Sequence, residues 1–327
     1  YRMGLKKFLK KILYLCPTRY IDKFYLIYNR IFYSELTEKK MTFGSDNEDK
    51  TFYVIRPRTN SVEGLMALLF YVMQHIGYAE RNNYIPVVDF KNYEVQYTIQ
   101  KGEDAWKVFF EQISNYTLNE VYKSKNVILS GLNVSYETYP CLREKSFNKE
   151  DLQEVHKLIK KYIKFSDAAL AKYKNELSNI NPKEMIGLYL RGTDYTKLKP
   201  TGEAAQPTVE EAIERAKQYM ENNDKKVFLV TEDEEVYKKV VLNLEDKVVT
   251  VSFDRYIKNY SAKNFLAKDS CIEQLAEDAH TRGMNYLVKI MLLSQCSCIV
   301  GGKTCGSWAA CVLADEKTKI DIFELGN

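Results

Sequence analysis

The chain of 327 residues has few of the residues that build metal centres. It contains three histidines, and its seven cysteines lack the paired C-x-x-C spacing of a zinc site. With so few histidines to complete a ligand set, no metal site is predicted. Small, buried, reduced cysteines of a cytoplasmic protein are the interpretation that this pattern favours.

The common phosphate-binding loops are also missing. Neither the G-x-x-x-x-G-K-[ST] pattern nor the G-x-G-x-x-G fingerprint occurs, and there is no repeat of solenoid period and no low-complexity tract. An apolar content of 45% and a charged content of 28% are ordinary for a soluble globular protein. The length suits two domains.

Positive charge is concentrated at the start of the chain. Residues 1–40 carry ten Lys and Arg against three Asp and Glu, while the whole chain has a net charge of +4. The remainder is therefore slightly acidic, which argues against a nucleic-acid partner.

The stretch "GLKKFLKKILYL" places apolar residues at helical spacing with lysines opposite, and so predicts a basic amphipathic helix. It is too short and too charged to cross a bilayer, and no secretory cleavage site follows it. Two interpretations stay open: residues 1–30 lie on an anionic membrane surface, or the helix packs on the protein body. A cytoplasmic protein, peripheral at the inner membrane surface in the first case, is expected.

The first half alternates strands and helices. After a polar linker over 41–50, the pattern predicts a strand ending at Pro57, a helix over 62–81 and a strand over 85–90. This is a βαβ unit, which implies a parallel sheet. A helix over 104–113 and a strand over 126–131 complete the half.

A long helical stretch over 148–180 joins the halves, and the alternation then resumes. The expected strands and helices of the second half are strand 185–190, helix 208–222 capped by Thr208 with Glu211, strand 226–231, a helix opened by "EDEE", strand 248–252, helix 283–295, strand 297–300, a helix opened by "GGKTCG" and strand 319–323.

The fold class is therefore α/β, with two Rossmann-like, doubly wound domains facing across a cleft. We predict a basic N-terminal helical extension over 1–45, an acceptor-side domain over 46–165 and a donor domain over 166–327. Ligands of such sheets bind beyond the carboxyl ends of the strands.

Three strand ends converge in the second half: Arg191–Asp194, Thr231–Asp233 and Gly301–Ser307. An arginine next to a helix N-terminus suits a diphosphate. The alternatives are a solvated arginine at a strand end and a tight turn that needs glycine.

The segments "GLYLRGTDY", "TGEAAQPTVEEAI", "KVFLVTEDEEV" and "YLVKIMLLSQCSCIVGGKTCGSWA" together resemble the donor half of the GDP-fucose-dependent fucosyltransferases, which share a GT-B-like fold. This family includes the α-1,6-fucosyltransferases, the nodulation-factor enzymes and the protein O-fucosyltransferases. The resemblance covers about residues 183–312, with a weaker echo in the first half. It implies a glycosyltransferase that uses GDP-fucose and needs no cofactor.

The resemblance also implies site residues. Arg191 matches the arginine that contacts the β-phosphate of the donor, and Glu203 in "GEAA" matches the proposed base; Glu63 is a rival base from the first domain. Asp194 is expected to orient Arg191. The residues expected to bind the donor are Arg191, Gly192, Asp194, Tyr189, Thr231, Asp233, Lys289, Thr304, Cys305 and Gly306.

The chain departs from the family pattern at three of these positions. Tyr189 stands where the family has histidine, Lys289 where it has aspartate, and Cys305 where it has serine. In the α-1,6 enzymes, the family's histidine and aspartate recognise guanine. Their loss leaves phosphate binding intact but opens the identity of the base, because an ammonium repels the N–H edge of guanine.

The predicted reaction is metal-independent and inverting. Arg191 stabilises the charge that builds on the leaving diphosphate, and a carboxylate takes the proton of the acceptor hydroxyl. The expected partners are a nucleotide-sugar donor and a glycan or lipid-linked glycan acceptor. The alternatives are another nucleotide sugar, a metal-dependent GT-A enzyme using "TEDEE", a membrane scaffold, and a non-catalytic binding protein with a degenerate site.

Overall fold

A computed structural model gives the fold. It describes residues 27–28, 31, 37–58, 63–131, 149–199, 203–220 and 224–326. The predicted amphipathic helix and the membrane contact through residues 1–30 lie almost wholly outside this range. Within the described residues, no helix is long and apolar enough to span a membrane.

The first sheet has four described strands in the order β1-β4-β2-β3. β2 is parallel to β3 and β4, and β1 is antiparallel to β4. The elements of this half are β1 (Lys39–Met41), β2 (Phe52–Ile55), α1 (Leu65–Arg81), β3 (Ile85–Val88), α2 (Ala105–Phe109), α3 (Leu118–Val121) and β4 (Val127–Leu129).

The second sheet has five described strands, all parallel, in the order β7-β6-β5-β8-β9. Its elements, with the two helices that precede it, are α4 (Lys149–Tyr162), α5 (Asp167–Leu177), β5 (Met185–Tyr189), α6 (Thr193–Lys197), α7 (Val209–Lys217), β6 (Lys226–Val230), α8 (Glu234–Leu244), β7 (Val248–Val249), α9 (Ala279–Leu293), β8 (Cys298–Gly302), α10 (Cys305–Leu313) and β9 (Lys319–Phe323). The predicted strands and their order along the chain are confirmed.

The prediction of one long helix over 148–180 was wrong. The chain leaves the helical conformation after Tyr162, and Ser166 caps α5 by accepting a hydrogen bond from the backbone N–H of Ala169. Between the two helices, Lys164 accepts a backbone hydrogen bond from Glu111 in the first half. This pairing with another segment overrides the continuous apolar stripe that predicted one helix.

Other helices differ from prediction at their ends. α2 stops at Phe109 rather than 113, and α9 begins at Ala279, four residues before the predicted start, because Asp278 caps it. The short helix α3 was not predicted. At the described end of the predicted extension 1–45, Lys39–Met41 is a strand of the first sheet. The division into domains at 45 and 165 stays a prediction.

Helices α1, α9 and α10 join the two sheets into one core. The largest cluster of buried apolar side chains includes Tyr53 and Val88 of the first sheet and Phe228 and Ile299 of the second. A Cβ at Gly283 in α9 would lie 2.6 Å from the ring of Phe109, so glycine permits this close approach between the halves. Burial of these apolar side chains holds the two sheets in place on either side of the cleft.

Candidate active site

A cavity of about 390 Å³ lies between the carboxyl ends of the second sheet and the start of α1. The first half contributes the loop and first turn of α1 together with the segment before α2. The residues that line the cavity and bear on its chemistry are Glu63, Gln96, Tyr97, Tyr189, Arg191, Asp194, Tyr195, Glu203, Thr231, Glu232, Arg255, Arg282, Tyr286, Lys289, Thr304, Cys305 and Gly306. Strand ends that were predicted to converge thus do meet at one cavity.

Arg191, just past the end of β5, is held by two carboxylates. Its Nη2 donates to Asp194 Oδ1 at 2.9 Å, and its Nε lies 3.0 Å from Glu232 Oε1. The guanidinium also lies over the ring of Tyr195, 4.6 Å from its centroid. Burial opposes the charge, but Glu232 and then Tyr189 and Asp194 raise the pKa of Arg191 well above its ordinary value. The side chain, which is partly buried at 19% exposure, therefore stays a fixed cation.

The turn after Arg191 is strained and closely packed. Thr193 has φ +38°, which is unusual for a β-branched residue, and its N–H donates to Asp233 Oδ2 at 2.9 Å. A Cβ at Gly192 would lie 2.3 Å from the Cβ of Asp233. Gly192 is thus required because β5 and β6 end side by side here.

Asp194 and Asp233 have structural partners on both oxygens. Asp194 binds Arg191 with one oxygen and accepts from the N–H of Leu266 with the other. Asp233 caps α8 through the N–H groups of Glu235 and Val236, and it does not line the cavity. Asp194 thus holds Arg191, while Asp233 supports the turn from behind.

Tyr189 contacts another tyrosine rather than solvent. Its hydroxyl lies 3.1 Å from that of Tyr286 on α9, and burial raises the pKa of both hydroxyls. A Cβ at Gly306 would lie 2.3 Å from the Tyr286 hydroxyl and 2.4 Å from that of Tyr189. The two hydroxyls therefore lie against the first turn of α10.

The glycine-rich turn before α10 satisfies its own backbone. The Thr304 hydroxyl accepts from the N–H groups of Gly306 and Ser307, and Ser307 Oγ accepts from the N–H of Thr304. This reciprocal capping uses N–H groups that the sequence analysis assigned to a phosphate. Thr304, Cys305 and Gly306 do line the cavity; their contact with a donor stays a prediction.

Lys289 forms a buried ion pair with Asp254, a residue that the sequence analysis did not select. The Lys289 side chain is 11% exposed and that of Asp254 is 5% exposed. The second oxygen of Asp254 accepts from the hydroxyl of Tyr256 at 2.9 Å, and Tyr256 stacks on Tyr237. The positive charge of Lys289, which was expected to repel guanine, is therefore balanced by Asp254.

The two candidate bases lie on the same cavity. Glu203 Oε2 accepts from the hydroxyl of Tyr195 at 3.2 Å. Glu63 pairs with Arg58 at 2.5 Å, and its side chain is 18% exposed. Both carboxylates line the cavity, and which of them is the base stays a prediction.

The acidic run "TEDEE" does not form a cluster. Glu232 pairs with Arg191, Glu234 with Lys238 and Lys258, and Glu235 with Lys197. Thr231 is buried and accepts from the N–H of Asp233. No group of three or more His, Cys, Asp or Glu side chains suited to a metal ion occurs among the described residues.

Sequence reasoning selected Lys289 but missed the other residues on its face of α9. Arg282, Asn285, Tyr286 and Lys289 all line the cavity, and they follow the i, i+3, i+4, i+7 spacing of a helix face. That polar stripe on an otherwise apolar helix was the signal available in the sequence.

No protein-family model matches the chain, and no curated protein matches it significantly. Among solved structures, NodZ α-1,6-fucosyltransferase co-crystallised with GDP is similar at 17% identity and a TM-score of 0.50, over 81% of this chain and 93% of NodZ. Fucosyltransferase NodZ from Bradyrhizobium is similar at 16% identity and a TM-score of 0.46, over 81% and 94%. POFUT1 in complex with GDP-fucose is similar at 10% and 0.37, over 85% and 75%.

Likeness at these identities concerns the fold. The NodZ match agrees with the two α/β sheets, one mainly and one wholly parallel, and with the resemblance that the strand-end motifs indicated. The chain therefore has a GT-B-like fold similar to that of NodZ.

Proposed function

We propose that the protein is a glycosyltransferase that moves fucose from GDP-fucose to a hydroxyl of a glycan acceptor. The observation that carries the proposal is Arg191, a partly buried cation fixed by two carboxylates where β5 opens into the cavity. The fold shared with NodZ, which was crystallised with GDP, supports the choice of donor.

Arg191 has donors left for a diphosphate. Its recorded contacts use Nε and one N–H of Nη2, and in the described part of the chain Nη1 has no hydrogen-bond partner. A planar pair of N–H groups binds two phosphate oxygens at once. As the sugar–phosphate bond breaks, negative charge grows on the leaving diphosphate, and a preorganised guanidinium stabilises it.

The acceptor hydroxyl attacks the sugar from the face opposite the leaving group, which inverts the configuration. We assign the proton transfer to Glu203, whose carboxylate accepts from the hydroxyl of Tyr195, the residue whose ring lies under Arg191. Glu63 has its negative charge matched by Arg58 and is the rival. Because Arg191 balances the leaving charge, the reaction is expected to proceed without a divalent metal.

The Lys289–Asp254 pair affects which nucleobase the donor can carry. A free ammonium would repel the N–H edge of guanine, but this pair carries no net charge, and Asp254 accepts a hydrogen bond from the ammonium. Guanine therefore remains compatible with the site. A donor whose base presents acceptors to the remaining Lys289 N–H groups is the alternative that this pair favours.

A glycan or a lipid-linked glycan is the proposed acceptor, and the cytoplasm, with contact to the inner membrane surface, the proposed location. The support is the basic composition of residues 1–40.

The experiment is single-turnover transfer or hydrolysis of GDP-fucose with Glu203→Gln and Glu63→Gln, each with and without EDTA. We expect Glu203→Gln to slow the chemical step about 10²-fold or more and Glu63→Gln to slow it less. EDTA is expected to change neither rate. Loss of activity on chelation would indicate a metal-dependent enzyme instead. GDP binding without turnover would indicate a non-catalytic binding protein.

A further inference from the structure

We propose that the end of the cavity next to the first sheet binds an anionic substituent of the acceptor sugar, a carboxylate or a phosphate ester, through Arg282. This inference rests on the proposed glycosyl transfer and adds the chemical class of the acceptor. It depends on the position of Arg282 along α9 and on the partners of the charged groups around it.

The polar stripe of α9 gives the cavity two unlike ends. Tyr286, in the middle of the stripe, touches Tyr189 at the end of β5. Lys289 is about one turn further along the helix and pairs with Asp254. Arg282 is about one turn before Tyr286, and thus about 10 Å from Lys289 along the helix axis at 1.5 Å per residue.

The Arg282 end lies against the first half of the chain. Its neighbour Gly283 packs on Phe109 and on Tyr97, with a Cβ position 2.9 Å from the Tyr97 ring. The hydroxyl of Tyr97 accepts from the N–H of Leu65, the first residue of α1 and two residues after Glu63. Arg282 therefore lies where the cavity meets the first half of the chain, the side on which the proposed function places the acceptor.

The carboxylates near this end already have partners. Glu63 pairs with Arg58, and Glu103 lies 2.6 Å from His280 Nε2 and accepts from two backbone N–H groups. Asp278 caps α9 and binds the Thr281 hydroxyl.

The side chain of Arg282 forms neither an ion pair nor a hydrogen bond with any described residue, although the residue is half-buried and lines the cavity. The other charged side chains just described have partners in the protein; Arg282 has its partner in a ligand.

Arg282 is not needed for the diphosphate, which Arg191 can bind from the strand end. If the two arginines instead held the donor together, removing either would weaken nucleotide binding. This difference separates the proposal from a second phosphate contact.

The test is binding of matched sugars, measured by calorimetry or by ligand-observed NMR, with and without saturating GDP. The probes are glucose, glucuronate and glucose 6-phosphate, with galactose and galacturonate as a second neutral and anionic pair. We expect the wild-type protein to bind at least one anionic sugar about tenfold or more tightly than its neutral partner. The carboxylate and phosphate probes show which anion is preferred.

Arg282→Gln is expected to bring the ratio of the affinities for the anionic and the neutral sugar close to one, while the Kd for GDP changes less than threefold. Arg282→Lys, which keeps the charge, should retain part of the preference. Arg255→Gln is the matched control, because Arg255 is an exposed cation on the same cavity and also has no ion pair with a described residue.

Equal binding of neutral and anionic sugars by the wild type would overturn the proposal. So would a preference that survives Arg282→Gln or disappears in Arg255→Gln, or a loss of GDP affinity in Arg282→Gln. The GDP titration of the wild type tests the donor separately: if GDP does not bind, the proposed function fails, and the sugar preference measured without GDP still decides this inference.

Discussion

β5 and β8 are neighbouring parallel strands that end at the same cavity, yet they present different chemistry there. The end of β5 gives a partly buried guanidinium, Arg191, with donors still available. The end of β8 gives a glycine-rich turn whose N–H groups bind the Thr304 hydroxyl. The comparison favours a side chain over the helix terminus as the group that would bind an anion in this site.

The backbone at the end of β5 leads to the same conclusion. The N–H groups of Gly192 and Thr193 donate to Glu232 and Asp233, which come from the end of β6. The N–H groups of Gly192 and Thr193 at one strand end, and of Gly306 and Ser307 at the other, thus have partners within the protein. Glu232 serves twice, because it also balances the charge of Arg191.

The largest expected effect is that of Arg191→Ala. Removing the guanidinium removes the stabilisation of the leaving diphosphate, so we expect transfer to fall by about 10³-fold or more. The core that joins the sheets does not include this side chain, and circular dichroism should show a folded protein. Arg215→Ala is the control, since Arg215 pairs with Asp321 away from the cavity. Near-normal activity of Arg191→Ala would disprove the phosphate assignment.

Gly192→Ala is expected to have a smaller effect, mainly on stability. The new methyl group would overlap the Cβ of Asp233, and the strand ends would have to separate, at a cost of about 2 kcal/mol in the free energy of unfolding. Urea unfolding measures this. Gly64→Ala is the matched control, because a Cβ there meets no atom within 4 Å and the change should stay within about 0.5 kcal/mol. Equal stabilities of the two variants would contradict the close packing of β5 and β6.

Thr304→Ala is expected to have the smallest effect. Loss of the cap should lower the free energy of unfolding by about 1 kcal/mol, with the Kd for GDP changed less than threefold. Thr208→Ala removes the same kind of cap from α7 and should cost a similar amount. If Thr304→Ala weakened GDP binding strongly while Thr208→Ala did not, the turn after β8 would be an anion site and the two strand ends would act alike.

Much of this arrangement could be predicted from the sequence, because the pattern of a parallel sheet fixes where its strands end. The alternation of apolar strands and capped helices placed Arg191, Glu232 and the turn after β8 at one edge. The capping box of Thr208 and Glu211 was readable from its spacing alone and is confirmed.

The remaining features depend on contacts between distant residues. Asp254 is 35 positions from Lys289, in a loop without periodicity, so no pattern paired them. The break between α4 and α5 follows from pairing with the segment after α2. The closure of the turn after β8 depends on side-chain rotamers of Thr304 and Ser307, which a glycine-rich pattern does not specify.

The most direct test of the central claim is a calorimetric and thermal-shift panel of GDP, UDP, ADP, CMP and GDP-fucose on the wild type and on Arg191→Ala. The account predicts that GDP and GDP-fucose raise the Tm of the wild type most, and that Arg191→Ala loses this stabilisation. A preference for another diphosphate that also depends on Arg191 would keep the site and change the donor. Binding of none of these nucleotides, or equal binding to both proteins, would contradict the account.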